Sequence, residues 1–402
     1  MQVERPAVRG DAKKGVVVDR EGLEHSLVRR LLDHIEHRTT DMAEAVLEIP
    51  AELYTSRAHY ERELDALFFD DALVFCLSGA LPRPGSYWTV DLCGTPVLLT
   101  RDAGGQVRAM ANMCRHRGVR VVDGCGEGRR FTCPFHAWVY DLEGKLVGVP
   151  TSEGFDAMNR ADKGLVQLPV TEGYGLVVGR LRQGDPVDID EYLGPGLAAE
   201  LASLDFAGWE PYRQAHVHHV NANWKVALDT FRENYHFDHL HRTTLRQYAY
   251  GGVLTFDAFG PHLRNCSALR SIDALRDVPE ERWGDVMPHF SYQYQLFPNT
   301  ALTFDVRHIE LWQIIPIDEK TSEVVHTAYL RPGLSDEERA KAVDMAPWIC
   351  ETVVDGEDFW VAARTEPGIR TGLLDNVVFG RNEPAPQHLH RGFLAALERH
   401  RP

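Results

Sequence analysis

Residues 114–136 read CRHRGVRVVDGCGEGRRFTCPFH and pair Cys114-x-His116 with Cys133-x-x-His136 across sixteen intervening residues. Two thiolates and two imidazoles presented by two short loops suit a [2Fe–2S] cluster with one iron ligated by Cys and the other by His. The same ligand types also serve structural zinc sites. A zinc finger of that kind groups its cysteines together and its histidines together, the latter on a helix, whereas here each loop supplies one of each.

Outward from this motif, the flanking sequence reads as short β runs. YWTVDL (87–92), PVLLTR (96–101) and QVRAMAN (106–112) are divided by the turn-prone Cys93-Gly94-Thr95-Pro96 and Asp102-Ala103-Gly104-Gly105. Consecutive antiparallel strands hold two ligand loops close, and a small β domain is expected over residues 72–172. Before it, Leu23, Leu27, Leu31 and Ile35 recur at near-helical spacing over residues 20–38, and a second helix starts near Ser56 with Tyr60, Leu64, Leu67 and Phe68 on one face. Residues 1–71 are thus a helical segment that packs on something else.

Residues 173–402 mix strands and helices. FPNTALTFDV (297–306), IELWQIIPI (309–317) and EVVHTAYL (323–330) read as strands, and Ser335-x-x-Glu338 as the capping box of a helix that Pro347 should interrupt or restart before residues 348 to 366. The run Asn223–His241, NWKVALDTFRENYHFDHLH, holds Glu233, His236 and His241. Two imidazoles and a carboxylate on one face of an iron leave the opposite positions open, the arrangement of non-haem Fe(II) oxygenases. His239 competes for the same role; His216, His218 and His219 read as a polar strand face, and His388 and His390 as surface residues of a C-terminal helix.

The chain has 402 residues, seven cysteines and a formal net charge of −16. The cysteines are too few and scattered for a disulfide scaffold, and those outside the cluster motif read as ordinary thiols. The negative charge opposes binding to nucleic acid or anionic membrane. No apolar run reaches the ~18 residues that span a bilayer, and the first fifteen residues lack the apolar core of a secretory signal, so a cytoplasmic location is expected. No strand–glycine–helix signature of a nicotinamide or flavin module is present.

Taken together, Cys114-x-His116, Cys133-Pro-Phe-His136, Asn223-Trp224-Lys225, Glu233-x-Tyr235-His236-x4-His241, Phe297-Pro298-Asn299 and Glu357-Asp358 resemble the α subunits of Rieske non-haem iron oxygenases. The resemblance implies an α+β architecture, in which the small antiparallel β domain is followed by a larger helix-grip (START-like) catalytic domain with an antiparallel sheet and helices. It implies that Cys114, His116, Cys133 and His136 hold the cluster, and that His236, His241 and a downstream carboxylate hold a mononuclear Fe(II). Asp355, Glu357 and Asp358 are candidates by chemistry; the family pattern, matched by Glu366-x-Gly368-Ile369, selects Asp358. Glu233 resembles the carboxylate that links an iron-ligand histidine to a cluster histidine of the neighbouring subunit, here His136, with Asp229 tuning the same network.

The implied activity is that of a terminal oxygenase component in a homotrimer, with or without a small β subunit. A separate NAD(P)H-dependent reductase, with or without a ferredoxin, would supply electrons, and dioxygen would be used to hydroxylate or dihydroxylate an aromatic or similarly apolar molecule. Oxidative N- or O-demethylation is the alternative within the family, and a bare electron carrier the alternative outside it. The pocket is expected near the sheet around residues 295–313, which includes Leu296, Phe304 and Trp312.

Overall fold

In the computed structural model, which describes residues 18–212 and 215–400, the chain is α+β. The first helix, Arg20–His37, begins where the Asp19 side chain accepts from the Gly22 N–H and ends at Arg38 in the left-handed conformation. Its Leu27, Val28 and Leu31 are buried. Ser56 caps the next helix, Arg57–Glu63, which widens into π turns over Leu64–Asp70.

The segment carrying the cluster motif is built on an antiparallel meander. Strands Ser86–Leu92, Thr95–Arg101 and Val107–Ala111 pair in sequence, flanked by Cys125–Glu127 on one side and Gln167–Leu168 on the other. The connection Cys93-Gly94 is a two-residue turn with both φ values positive, 50° and 74°, which is the twist an antiparallel hairpin prefers. A second, three-stranded sheet joins Arg130–Thr132, Val139–Asp141 and Leu146–Gly148. The two ligand loops open between these strands.

Leu73–Leu77 joins Val170–Gly173 and Leu176–Gly179 in a three-stranded sheet, Leu47–Pro50 pairs with Asn376–Phe379, and the other strands of the later chain form an eight-stranded antiparallel sheet. Strand alternation gives it two faces. On one, Tyr292, Tyr294 and Phe304 stack together, Tyr294 Oη donates to Glu200 of the helix Ile189–Leu204, and Gln313 donates to the Val74 carbonyl. On the other, Trp312 meets Phe231 and His218 meets Phe359, so this face holds the helices Trp224–Asp229 and Phe359–Ile369. Of the residues in the sheet around 295–313, Phe304 and Leu296 therefore lie on the opposite face from Trp312. Register parity decides this, because a pleated strand sends alternate side chains to opposite sides.

The capping box at Ser335 and Glu338 is present, and at Pro347 the α-helix it starts changes to wider turns. The run continues from Asp336–Pro347 through π turns at Trp348–Asp358 into Phe359–Ile369. A proline lacks an N–H and crowds the carbonyl four residues back; wider turns starting directly after it keep the chain helical.

The early helices are pinned to the later domain by one buried charge. Glu63 is 1% and Lys225 2% exposed; Lys225 Nζ lies 2.7 Å from both Glu63 oxygens, Trp224 Nε1 donates to Oε2 at 3.0 Å, and His59 Nε2 is 3.0 Å from Oε1. Lys225→Met strands the carboxylate in the interior, with an expected loss of about 3–5 kcal/mol in unfolding free energy. Chemical denaturation reads this directly, and Glu63→Leu added to Lys225→Met should restore most of it.

Candidate metal centres

Both loops of the first motif are closed in the same way. The Cys114 N–H donates to the Val119 carbonyl and the Gly118 N–H to the Cys114 carbonyl; the Cys133 N–H donates to the Trp138 carbonyl and the Ala137 N–H to the Cys133 carbonyl. Gly118 and Ala137, at matching positions, both take positive φ. Cys114 and Cys133 are each 2% exposed, and the His116 and His136 rings lie 4.6 Å apart. Both Nδ1 atoms are buried and make no hydrogen bond. A buried ring nitrogen left unmatched is costly, and two of them beside two buried thiols form a donor set that fits a [2Fe–2S] cluster.

The surroundings tune that set. Tyr140 Oη lies 3.3 Å from Cys114 Sγ and accepts from the Arg115 N–H at 3.0 Å. Burial pushes the Cys133 thiol up, while the backbone N–H groups of Phe135 and His136 favour its thiolate. Trp138 stacks on His116 with centroids 5.0 Å apart. Phe135 is 56% exposed beside His136.

The second motif converges on a triangle of donors. His236 Nε2 lies 3.1 Å from His241 Nε2, and Asp358 Oδ1 lies 3.5 and 3.2 Å from them. Donors bound at right angles to one ion, with bonds of about 2.1 Å, stand about 3 Å apart, so the spacing fits a facial set of two His and one carboxylate. Asp358 is 7% exposed and its Oδ1 has no well-angled donor. Helical π turns deliver it from the sheet-facing side, while the short helical turn Tyr235–Asp238 bends the chain so that His241 can meet His236.

Each imidazole is braced from behind. His236 Nδ1 donates to Glu233 Oε1 in a short hydrogen bond, and Glu233 Oε2 accepts from the N–H groups of Tyr235 and His236. His241 Nδ1 donates to Glu357 Oε2 at 2.7 Å, and Thr244 Oγ1 donates to the same oxygen at 2.6 Å. Burial opposes the charge on His236, yet hydrogen bonds to Asp358 and Glu233 outweigh it and push the group up to about 10. His241 is raised through the same balance, with Asp358 as its chief partner. Burial would lift Asp358, but the two histidines hold it below the usual carboxylate range.

Of the other candidates, Glu357 supports His241, Asp355 supports His218, and His239 is exposed and outside the triangle. Asp229 accepts from Tyr54 Oη at 3.2 Å and lies 3.0 Å from His390 Nε2, with Tyr54 Oη and His390 Nε2 also 3.0 Å apart. His390, read as a surface residue, is 3% exposed because its helix turns that face onto this pair. His388 is partly buried. His218, read as part of a polar strand face, is buried against Trp312 and Phe359. Arg232 escaped the reading altogether: it is 1% exposed, its Nε and Nη1 have no partner, and burial pushes it down to about 9. An arginine beside a glutamate gives no sequence signal of burial.

Two family profiles match, the Rieske [2Fe-2S] domain over residues 71–167 and the ring hydroxylating alpha subunit (catalytic domain) over residues 206–398. The chain is 34% identical over 200 residues to the biphenyl 2,3-dioxygenase alpha subunit of Rhodococcus jostii, covering 48% of this chain and 43% of that one. It is 30% identical over 199 residues to the glycine betaine monooxygenase oxygenase subunit of Pseudomonas aeruginosa, covering 49% and 46%. It thus spans less than half the length of these curated relatives. A crystal structure of a quaternary ammonium Rieske monooxygenase superposes with a TM-score of 0.73 at 20% identity, covering 92% of this chain and 97% of that one.

Proposed function

We propose, for a chain that belongs to the Rieske non-haem iron oxygenase alpha subunits, that it is a terminal oxygenase component. The observation that carries this reading is the buried triangle of His236, His241 and Asp358 in a chain that also presents two unmatched Nδ1 atoms beside two buried thiols. Residues 72–172 are taken as the cluster domain, 173–402 as the catalytic domain and 1–71 as an N-terminal segment, whose described part from residue 18 packs on the latter.

When bound, the cluster relays single electrons and the ferrous ion activates dioxygen. The chain's own part is positioning. Glu233 and Glu357 each accept a hydrogen bond from an Nδ1–H, which fixes the tautomer that leaves both Nε2 lone pairs for the ion. Three ligands on one side leave the other side open to substrate and dioxygen. Glu233 also bridges to the partner subunit's His136 within a ring of three. Exposed Phe135 beside His136 and Tyr235, 58% exposed beside His236, supply apolar surface for such a contact.

A separate NAD(P)H-dependent reductase supplies electrons, with or without a ferredoxin; a small β subunit is compatible with the fold. Trp312 of the sheet, Phe231 after the short helix and Phe359 directly after Asp358 pack together, an aromatic cluster that favours hydroxylation of an aromatic or similarly apolar molecule. Oxidative demethylation is the second reading: Glu310 is buried on this face of the sheet and Asp355 bonds to His218 of the same face, negative charge that suits a cationic substrate. Among the described residues no helix is long and apolar enough to cross a membrane, and we place the protein in the cytoplasm.

Asp358→Ala should keep the cluster absorption but lower iron from about three to about two atoms per chain. Unchanged iron content and turnover would remove Asp358 from the ligand set. Glu233→Gln keeps both metals and slows transfer between them in single-turnover kinetics; an unaltered rate refutes the bridge.

The site also predicts a pH dependence. The raised His236 contributes stability to the metal-free fold that is fully present below pH 6.5 and is lost as pH rises through about 10. Iron(II) must displace that proton, so binding releases protons and its apparent affinity climbs with pH over this window, by up to about tenfold per unit for each proton released. Chelator competition at several pH values checks this; a flat profile contradicts it.

A further inference from the structure

Besides the iron triangle, the helix-covered face of the sheet gathers a second set of metal-binding side chains. His218 comes from strand His216–Val220, His326 from strand Ser322–Leu330, and Cys350 from the π turns Trp348–Asp358. All three are buried, and one ligand atom from each lies within 4.8 Å of the other two. Cys350 Sγ is 3.0 Å from His326 Nδ1. Three elements distant in sequence thus aim two imidazoles and one thiol at one another.

Two further features shape the set. Asp355 Oδ1 accepts from His218 Nδ1 at 2.7 Å, which fixes the tautomer whose lone pair is on Nε2. A carboxylate behind a histidine is the usual support of a metal ligand. Trp312 stacks on His326 with centroids 3.8 Å apart and planes 17° off parallel, so that imidazole is held in plane. His216 and Asp355, both exposed, form with His218 another group within 4.8 Å.

We propose that His218, His326 and Cys350 form a second metal site, separate from the iron centre and sharing no ligand with it, for a borderline-soft divalent cation such as zinc. One thiolate and two imidazoles suit that ion, and three protein ligands leave a fourth position for water. Tetrahedral donors around zinc stand about 3.3–3.6 Å apart, so closure of about an ångström completes the set. Binding forms a zinc–sulfur bond, and the Cys350 thiol proton leaves to solvent. No electron changes hands.

The test uses the full chain with its cluster and iron loaded, zinc chloride as the probe, and gel filtration before metal analysis. The expected result is about one tightly held zinc per chain, with a sulfur neighbour in zinc-edge X-ray absorption and cluster absorption and iron unchanged. Cys350→Ser should weaken zinc binding at least tenfold, and Asp355→Asn about 10- to 100-fold, while Asp358→Ala leaves it intact. Zinc that is absent, that lacks a sulfur neighbour, or that survives in Cys350→Ser and vanishes in Asp358→Ala overturns the proposal. The last outcome would mean that zinc had entered the iron triangle. Should Cys350→Ser fail to fold, the absorption spectrum of the unmodified protein decides.

Discussion

Three polar atoms within 3.5 Å of one another in a buried pocket repel or desolvate one another unless each is braced from outside. The fold meets that constraint at His236, His241 and Asp358. Glu233 and Glu357 take the outer nitrogens of the two histidines, and Thr244 in turn steadies Glu357. Much of the catalytic half serves this arrangement. The sheet offers a rigid face, the short helix Trp224–Asp229 launches the loop that carries both histidines, and the long helical run returns Asp358 to the same place. The Glu63–Lys225 pair ties the start of that short helix to the N-terminal helices, so the site's geometry is anchored well outside the site.

How much of this could be read in the sequence depended on distance along the chain. The cluster ligands lie within one stretch of loops, and the two iron-site histidines are five residues apart, so local spacing was enough to propose both. Choosing among Asp355, Glu357 and Asp358 was beyond spacing, because in a run of π turns neighbouring side chains fan out differently from those of an α-helix. The resemblance selected Asp358, and the structure turns that carboxylate toward the histidines while Glu357 meets His241 from behind. Pairings across the fold were invisible: His390 with Asp229 spans 161 residues and His218 with Asp355 spans 137. Phe304 and Trp312 look equally core-like in the sequence, and only the register puts them on opposite faces.

The two faces of the sheet carry different chemistry. The face toward the helix Ile189–Leu204 is mostly aromatic and aliphatic, with Arg264 paired to both Glu200 and Asp257. The face toward the iron triangle mixes Trp312 with buried Asn265, Gln295, Glu310, His218 and His326. Burying that many polar groups is costly unless they find partners, so a face built only for an apolar core would exclude them. Their presence argues that this wall is there to meet something polar, whether substrate, water or an ion.

Charge points the same way at the triangle itself. Glu233, Glu357, Asp358 and Asp229 crowd one region, and Glu383 nearby is raised by burial and by the negative charge of Glu233 and Asp229. So many carboxylates require positive charge close by. Without metal, the requirement falls on protons, which is why burial fails to keep His236 neutral. A dication meets the same demand and returns the histidines to the neutral form that ligates. The acidic surroundings therefore do two jobs through one field: they hold the fold together when the ion is absent, and they favour the ion over the protons it must displace.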